Sequence, residues 1–113
     1  MLDDFKKKYG ETLGPLIIDT AESQPEIRKK LLQLSQLYAP ILLYPNMETI
    51  TQLSGQALKL MGEIASACGL FEEINFDWNN PSQEKMQRLF DWMLETSPEL
   101  SYYVEERVKK NSS

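Results

Sequence analysis

The chain has 113 residues, a formal net charge of −5 at pH 7 and an apolar fraction of 42%, which is ordinary for a globular protein. We expect a single domain over residues 1–113, because this length supports one hydrophobic core, and the acidic balance disfavours nucleic-acid binding. No apolar run is long enough to span a membrane and the N-terminus lacks the apolar segment of a signal peptide, so the expected location is cytoplasmic.

The first 22 residues contain two apolar helical patterns with a glycine after the first. Lysines precede Gly10, which suits the end of a helix, and Pro15 suits the first turn of another because that position needs no N–H. Gly14, directly before Pro15, favours a break between them. The sequence therefore predicts two short helices here.

The next predicted helix begins at Ser23, which is followed three residues later by Glu26 as in a capping box. An apolar stripe follows at helical spacing, and Pro40 predicts an end or a kink near Tyr38. The run Ile41–Tyr44 is apolar and is followed by proline. We interpret it as a buried connector or a kinked helical turn.

Residues 47–68 form the strongest helical pattern of the chain. Apolar residues cover most of the circumference and leave only a narrow polar row, so we expect neighbouring elements on most sides of this helix. Gly69 predicts its end, since glycine takes the left-handed conformation that commonly closes a helix.

Two glycines lie inside this helix, at Gly55 and Gly62. Each costs a helix about 1 kcal/mol relative to alanine, so their presence needs a reason. One interpretation is that another helix crosses closely at these positions. The alternative is a groove for a partner or a hinge.

The segment Glu72–Asn80 is the most irregular part of the sequence. Ile74, Phe76 and Trp78 alternate with polar residues, which predicts an extended loop with one apolar face. The two large aromatic side chains are either anchors for a partner or a plug that closes the helical core.

Two further helices are predicted in the remaining sequence. Asn80 and Pro81 form the start signal of the first, and Thr96–Glu99 repeats the signal used at Ser23. The predicted fold is an all-α, compact bundle of five or six helices around the central helix at about 47–68. The predicted core consists of Ile27, Leu31, Leu34, Ile50, Leu53, Ala57, Leu60, Ile64, Leu89, Phe90 and Val104.

The residue types that most catalytic and metal sites use are scarce. The sequence has no histidine and one cysteine, Cys68, which lies among apolar helix positions and is expected to be a buried, unreactive thiol. Asp19 is expected to point outward from a short helix. We therefore predict no catalytic residue, no metal and no cofactor.

The function expected from these features is protein binding. Residues 41–106 carry eleven acidic and three basic side chains, which suits a partner with a basic surface. The predicted binding residues are Phe76 and Trp78 as anchors, with Glu72, Glu73 and Asp77 as a charged rim.

We expect a small acidic cytosolic adaptor, inhibitor or immunity-type regulator that occupies a partner protein's surface and is not an enzyme. Neither nucleic acid nor membrane is an expected partner. The first alternative is an enzyme or small-molecule binder with a pocket beside the central helix. The second is a structural homodimer.

Overall fold

The computed structural model describes the backbone of residues 2–43 and 47–111, and the side chains of residues 9–40 and 54–111. The helices are α1 (Leu2–Ser23), α2 (Pro25–Leu43), α3 (Met47–Cys68), α4 (Leu70–Glu73) and α5 (Gln83–Asn111). The described ranges contain five helices and no strand. The predicted all-α bundle is confirmed, and α3 has the predicted bounds.

The hydrophobic core lies where α5 packs along α1 and α2 and where α2 packs against α3. Predicted core residues that are buried are Ile27, Leu31, Leu34, Ala57, Ile64, Leu89 and Val104. Leu60 and Phe90 are only partly buried, and the side chains of Ile50 and Leu53 lie outside the described residues. Other buried side chains, which lie outside the predicted core list, are Leu13, Ile17, Met61, Leu70, Trp92 and Met93.

The predicted break in the N-terminal segment is wrong, because α1 continues through Gly14 and Pro15. Leu13 and Ile17 lie on either side of the proline and are both buried at 1% exposure or less. Burying two such side chains stabilises by about 3–6 kcal/mol, which matches or exceeds the cost of about 3 kcal/mol for a proline inside a helix. The burial of Leu13 and Ile17 therefore keeps α1 helical through Pro15.

The predicted start of a separate helix at Thr96 is also wrong, since α5 runs continuously through Pro98. A proline has no N–H to donate to the carbonyl four residues earlier, which here belongs to Leu94. The Ser97 hydroxyl donates to that carbonyl at 2.7 Å, and the Thr96 hydroxyl donates to the carbonyl of Trp92 at 2.6 Å. The serine thus satisfies the acceptor that the proline leaves unpaired.

The junction between α1 and α2 differs from the predicted capping box. The Ser23 hydroxyl donates back into α1, to carbonyl oxygens of Asp19 and Thr20 at 3.2 Å each. The Gln24 carbonyl accepts the first backbone bonds of α2 instead. Arg28 closes the end of α1 by donating to the Ala21 carbonyl at 3.3 Å and the Glu22 carbonyl at 2.7 Å.

The second proline-containing segment is helical as well. Helix α2 passes through Pro40 and ends at Leu43, so it does not end near Tyr38. Ile41–Leu43 therefore belongs to α2 rather than to a separate connector, whereas Tyr44 lies outside the described residues.

Helix α3 ends as predicted but is less enclosed than expected. Gly69 has φ 70° and ψ 28°, the left-handed conformation that glycine adopts without steric cost. Ala57, Met61 and Ile64 face the core, but Leu58 is 51% exposed. The helix therefore presents an apolar side chain to solvent in its middle.

The far end of α5 is fastened to α1 by polar contacts. An Arg107 guanidinium nitrogen lies 2.7 Å from an Asp19 carboxylate oxygen and 3.1 Å from one of Glu22. The Asn111 amide donates to the second oxygen of Glu22. The hydrogen bonds of Arg107 to Asp19 and Glu22 raise the pKa of Arg107. The Asp19 side chain is 68% exposed and points outward, as predicted.

Candidate functional site

The segment between α3 and α5 is not the extended loop that the alternating pattern predicted. Gly69 redirects the chain into α4, a single helical turn in which Leu70 and Phe71 are buried. Asn75 then adopts a positive φ of 56°, and the Phe76 N–H donates to the Phe71 carbonyl at 2.9 Å. The chain folds back on itself because two adjacent apolar side chains need burial on one side.

Asp77 organises the turn that carries Trp78. The Asn79 N–H donates to the Asp77 carboxylate at 2.9 Å, and the Asn80 N–H donates to the Asp77 carbonyl at 3.2 Å. A short acidic side chain that accepts from the backbone two residues later is typical of such turns. The Asp77 carboxylate thus has a structural contact as well as an exposed position.

Hydrogen bonds at the start of α5 fix its first turn and connect it to the segment that follows α4. The Lys85 N–H donates to the Ser82 hydroxyl oxygen at 3.2 Å, so Ser82 caps the helix and the predicted cap at Asn80 is wrong. The Lys85 ammonium donates to the Asn75 carbonyl at 3.3 Å. This contact ties the segment to the first turn of α5.

The structure separates the two aromatic residues that the sequence grouped together. Phe76 is buried at 9% exposure, so it plugs the core, which was one of the two interpretations. Trp78 is 64% exposed, as an anchor residue would be. Glu72, Glu73 and Asp77 are exposed as well.

The exposed indole of Trp78 rests on two buried rings. Its centroid lies 5.1 Å from that of Phe71 and 4.8 Å from that of Phe76, both in edge-on geometry. Edge-to-face pairs of this kind contribute about 0.5–1.5 kcal/mol beyond their buried area, so the indole is held in place. We define the tryptophan patch as Phe71, Phe76, Trp78, Glu72, Glu73 and Asp77.

A groove of about 670 Å³ adjoins the tryptophan patch, between α3 and the first turns of α5. We call it the α3–α5 groove. Its apolar lining consists of Ala57, Leu58 and Met61 from α3, Met86, Phe90 and Leu94 from α5, and Phe76 at the end nearest the patch. A pocket beside the central helix was one of the alternative expectations, but its lining was not predicted, because Phe90 was assigned to the core.

The two glycines of α3 are not explained by a neighbouring helix. A methyl group added at Gly55 or Gly62 meets no described atom within 4 Å, so the close crossing predicted from the sequence is wrong. Both lie on the same side of α3 as Leu58, three and four residues away. Their combined cost of about 2 kcal/mol has no compensating contact among the described residues.

Two ionisable side chains of α3, Cys68 and Glu63, have shifted pKa values. Cys68 is buried as predicted, and burial raises the pKa of its thiol, an effect that a hydrogen bond from Thr20 partly offsets. Glu63 is paired with Lys30 at 2.8 Å, and that hydrogen bond lowers the pKa of Glu63. In the described ranges, no three Asp, Glu or Cys side chains are placed to hold one metal ion.

The sequence matches no protein-family model, no curated protein and no solved structure. No helix within residues 2–43 and 47–111 combines the length and apolar character needed to cross a membrane. A functional interpretation therefore depends on the tryptophan patch and the α3–α5 groove themselves.

Proposed function

We propose that this protein is a protein-binding domain, an adaptor, inhibitor or immunity-type regulator that acts by occupying the surface of a partner protein. The observation that carries the proposal is the 64% exposed Trp78 indole, supported from below by Phe71 and Phe76. The tryptophan patch is the proposed contact surface.

A supported tryptophan suits binding for an energetic reason. Tryptophan is enriched among residues whose truncation costs about 2 kcal/mol or more in an interface. A side chain that must be immobilised on binding loses about 0.5–1.5 kcal/mol of that gain. Phe71 and Phe76 already restrict the Trp78 indole in the free protein. Part of its side-chain entropy is therefore lost on folding, and less remains to be lost on association.

The charges around the patch favour a basic partner. Residues 54–99 carry eight carboxylates and three cationic side chains. Complementary charge speeds association and contributes to specificity, and its effect weakens as salt rises. The same charges oppose a homodimer that joins two tryptophan patches, because carboxylates would then face carboxylates.

The test compares Trp78→Ala with Tyr102→Ala, a control that removes another exposed aromatic ring (61% exposed) from the distant half of α5. Proteins captured by the wild type and by each variant are identified, and the partner is then purified and titrated. We expect Trp78→Ala to weaken its affinity by about 30-fold or more and Tyr102→Ala to leave it nearly unchanged.

Equal affinities for wild type and Trp78→Ala, with both variants folded, would overturn the proposal. The solution mass of the free protein is measured in parallel. A wild-type dimer that becomes a monomer in Trp78→Ala would instead establish the homodimer, and the adaptor role would be abandoned.

A further inference from the structure

We infer that Lys85 is a positioning residue of the tryptophan patch, because it holds both ends of the loop that carries Trp78. This inference rests on the proposed function and adds the residue that controls how the contact surface is presented. Lys85 lies outside the tryptophan patch and acts through the bonds of its two nitrogen atoms.

Lys85 makes one hydrogen bond to each end of the segment that connects α4 to α5. Its backbone N–H donates to the Ser82 hydroxyl oxygen at 3.2 Å, and its ammonium donates to the Asn75 carbonyl at 3.3 Å. Residues 75–82 therefore form a loop whose first and last residues are bonded to the same residue of α5. Trp78 lies near the middle of this loop. Compact surface loops whose ends lie close together frequently carry functional side chains.

The Asn75 carbonyl is presented to the ammonium by an uncommon backbone conformation. Asn75 has a φ of 56°, in the left-handed region that residues other than glycine adopt at a cost. Such a conformation persists where surrounding contacts maintain it. One of these contacts is the bond from the Asn75 N–H to the Glu72 carbonyl at 3.1 Å, and the Lys85 ammonium supplies another on the carbonyl side.

The effect of this bond reaches the indole through Phe76, the residue directly after Asn75. The Phe76 N–H donates to the Phe71 carbonyl at 2.9 Å, and its buried ring lies 5.8 Å from the Phe71 ring. The Trp78 ring rests against Phe76 with centroids 4.8 Å apart. A rotation of the backbone at Asn75 would move the Phe76 ring and remove support from the indole. Lys85 thus acts on Trp78 through Asn75 and Phe76.

The bond from the Lys85 ammonium is positioned to affect the loop and not the core. It is exposed to solvent, and the Lys85 side chain is only half-buried. Substitution of a surface residue changes the global free energy of unfolding little. Local opening of a loop is governed by the few bonds that hold it, so the same substitution has a large effect there. A positioning role can therefore be measured separately from stability.

The first experiment measures the mobility of the indole in the free protein. It uses a Trp92→Phe background, in which Trp78 is the one remaining tryptophan. Lys85→Met removes the ammonium and keeps an apolar stem, whereas Lys85→Arg keeps a charged donor. The matched control Lys29→Met removes a lysine from an exposed position on α2. Time-resolved fluorescence anisotropy gives the amplitude of fast indole motion, and urea unfolding gives the stability of each variant.

We expect Lys85→Met to raise the amplitude of fast indole motion by about twofold or more, because the loop is then open at one end. Lys85→Arg and Lys29→Met should have the amplitude of the wild type, and all variants should unfold at the same urea concentration. The inference is overturned if Lys85→Met leaves the amplitude unchanged or if Lys29→Met raises it equally. It is also overturned if the amplitude rises only together with a general loss of stability.

The second experiment uses the partner captured by the wild type, in a double-mutant cycle with Trp78→Ala. Lys85→Met should weaken the affinity by about threefold or more, and Lys85→Arg should restore it. In the Trp78→Ala background Lys85→Met should have no further effect, because Lys85 acts through the indole. An undiminished effect in that background would place Lys85 in direct contact with the partner and overturn the positioning role.

Failure of the inference is distinguishable from failure of the proposed function. If Trp78→Ala loses the partner but Lys85→Met binds it as the wild type does, the inference is overturned and the protein-binding role stands. If Trp78→Ala and the wild type bind the partner equally, the proposed function is overturned, whatever the anisotropy measurement shows.

Discussion

The two halves of α5 differ in how completely they are covered. In the second half, Leu100 and Val104 are buried and Arg107 is paired with carboxylates of α1. In the first half, Leu89 and Met93 are equally buried, but Met86 and Phe90 line an open groove. The buried face of the second half thus packs against the chain itself, although Tyr102 and Tyr103 are exposed there. In the first half, part of the apolar face lines an open groove, and uncovered apolar surface of this kind is where a partner gains from binding.

The two tryptophans show the same contrast at the level of single residues. Trp92 is 2% exposed, and its ring lies 6.0 Å from that of Tyr9 in edge-on geometry. Trp78, in the segment that connects α4 to α5, is 64% exposed. Trp92 and Trp78 are the same residue type, and they differ in how far each side chain is exposed to solvent.

The largest expected effect is the difference between truncating the two tryptophans. Trp92→Ala should lower the free energy of unfolding by about 3–5 kcal/mol, because it empties a core position. Trp78→Ala should lower it by about 1 kcal/mol, since only the edge-on contacts to Phe71 and Phe76 are lost. Urea denaturation of both variants measures the difference.

Fluorescence provides the control for this pair. In a Trp92→Phe background, Trp78 should emit at long wavelength and be quenched readily by acrylamide. In a Trp78→Phe background, Trp92 should emit at shorter wavelength and be protected. Trp92→Phe should be tolerated well, because the indole N–H of Trp92 has no hydrogen-bond partner among the described residues and phenylalanine removes it. If Trp78 were protected from acrylamide, it would belong to the core and would no longer be proposed as an anchor for a partner.

A second pair of variants tests the same contrast along α3. Ile64 is fully buried, so Ile64→Ala should cost about 2–5 kcal/mol. Leu58 is 51% exposed beside the groove, so Leu58→Ala should cost about 1 kcal/mol or less. Thermal and urea unfolding both report the difference. Equal losses for the two variants would mean that the chain itself fills the groove around Leu58.

Helical periodicity was sufficient to predict the fold class and the bounds of α3, because most of its buried side chains repeat at three and four residues. It failed where a local rule opposed a buried stripe. Pro15 and Pro98 were interpreted as helix starts, yet Leu13 and Ile17 on either side of one, and the Ser97 hydroxyl beside the other, maintain continuous helices. Tertiary burial outweighed local preference at Pro15, and a local side-chain hydrogen bond compensates for the missing N–H at Pro98.

The candidate site was predictable in part. The alternation of Phe76 and Trp78 identified the segment, but the same pattern placed both rings on one face, whereas the turn at Asn75 buries one and exposes the other. The α3–α5 groove depends on how two helices distant in sequence meet, which periodicity does not contain. Gly55 and Gly62 do not line this groove, so they did not identify it.

The smallest expected effect concerns Gly62. The sign of the stability change in Gly62→Ala shows whether the folded chain requires a glycine at that position. Gly62→Ala should raise the free energy of unfolding by about 0.5–1 kcal/mol, because no described atom lies within 4 Å of the added methyl group and alanine favours the helix. Gly69→Ala should lower it by about 1–2 kcal/mol, since Gly69 has a φ of 70° that alanine adopts only with strain. The two variants make the same chemical change seven residues apart, so urea unfolding of both gives an internally controlled comparison. A loss of stability in Gly62→Ala would show that the chain itself approaches α3 at that position. A gain would mean that the folded chain does not require a glycine at that position.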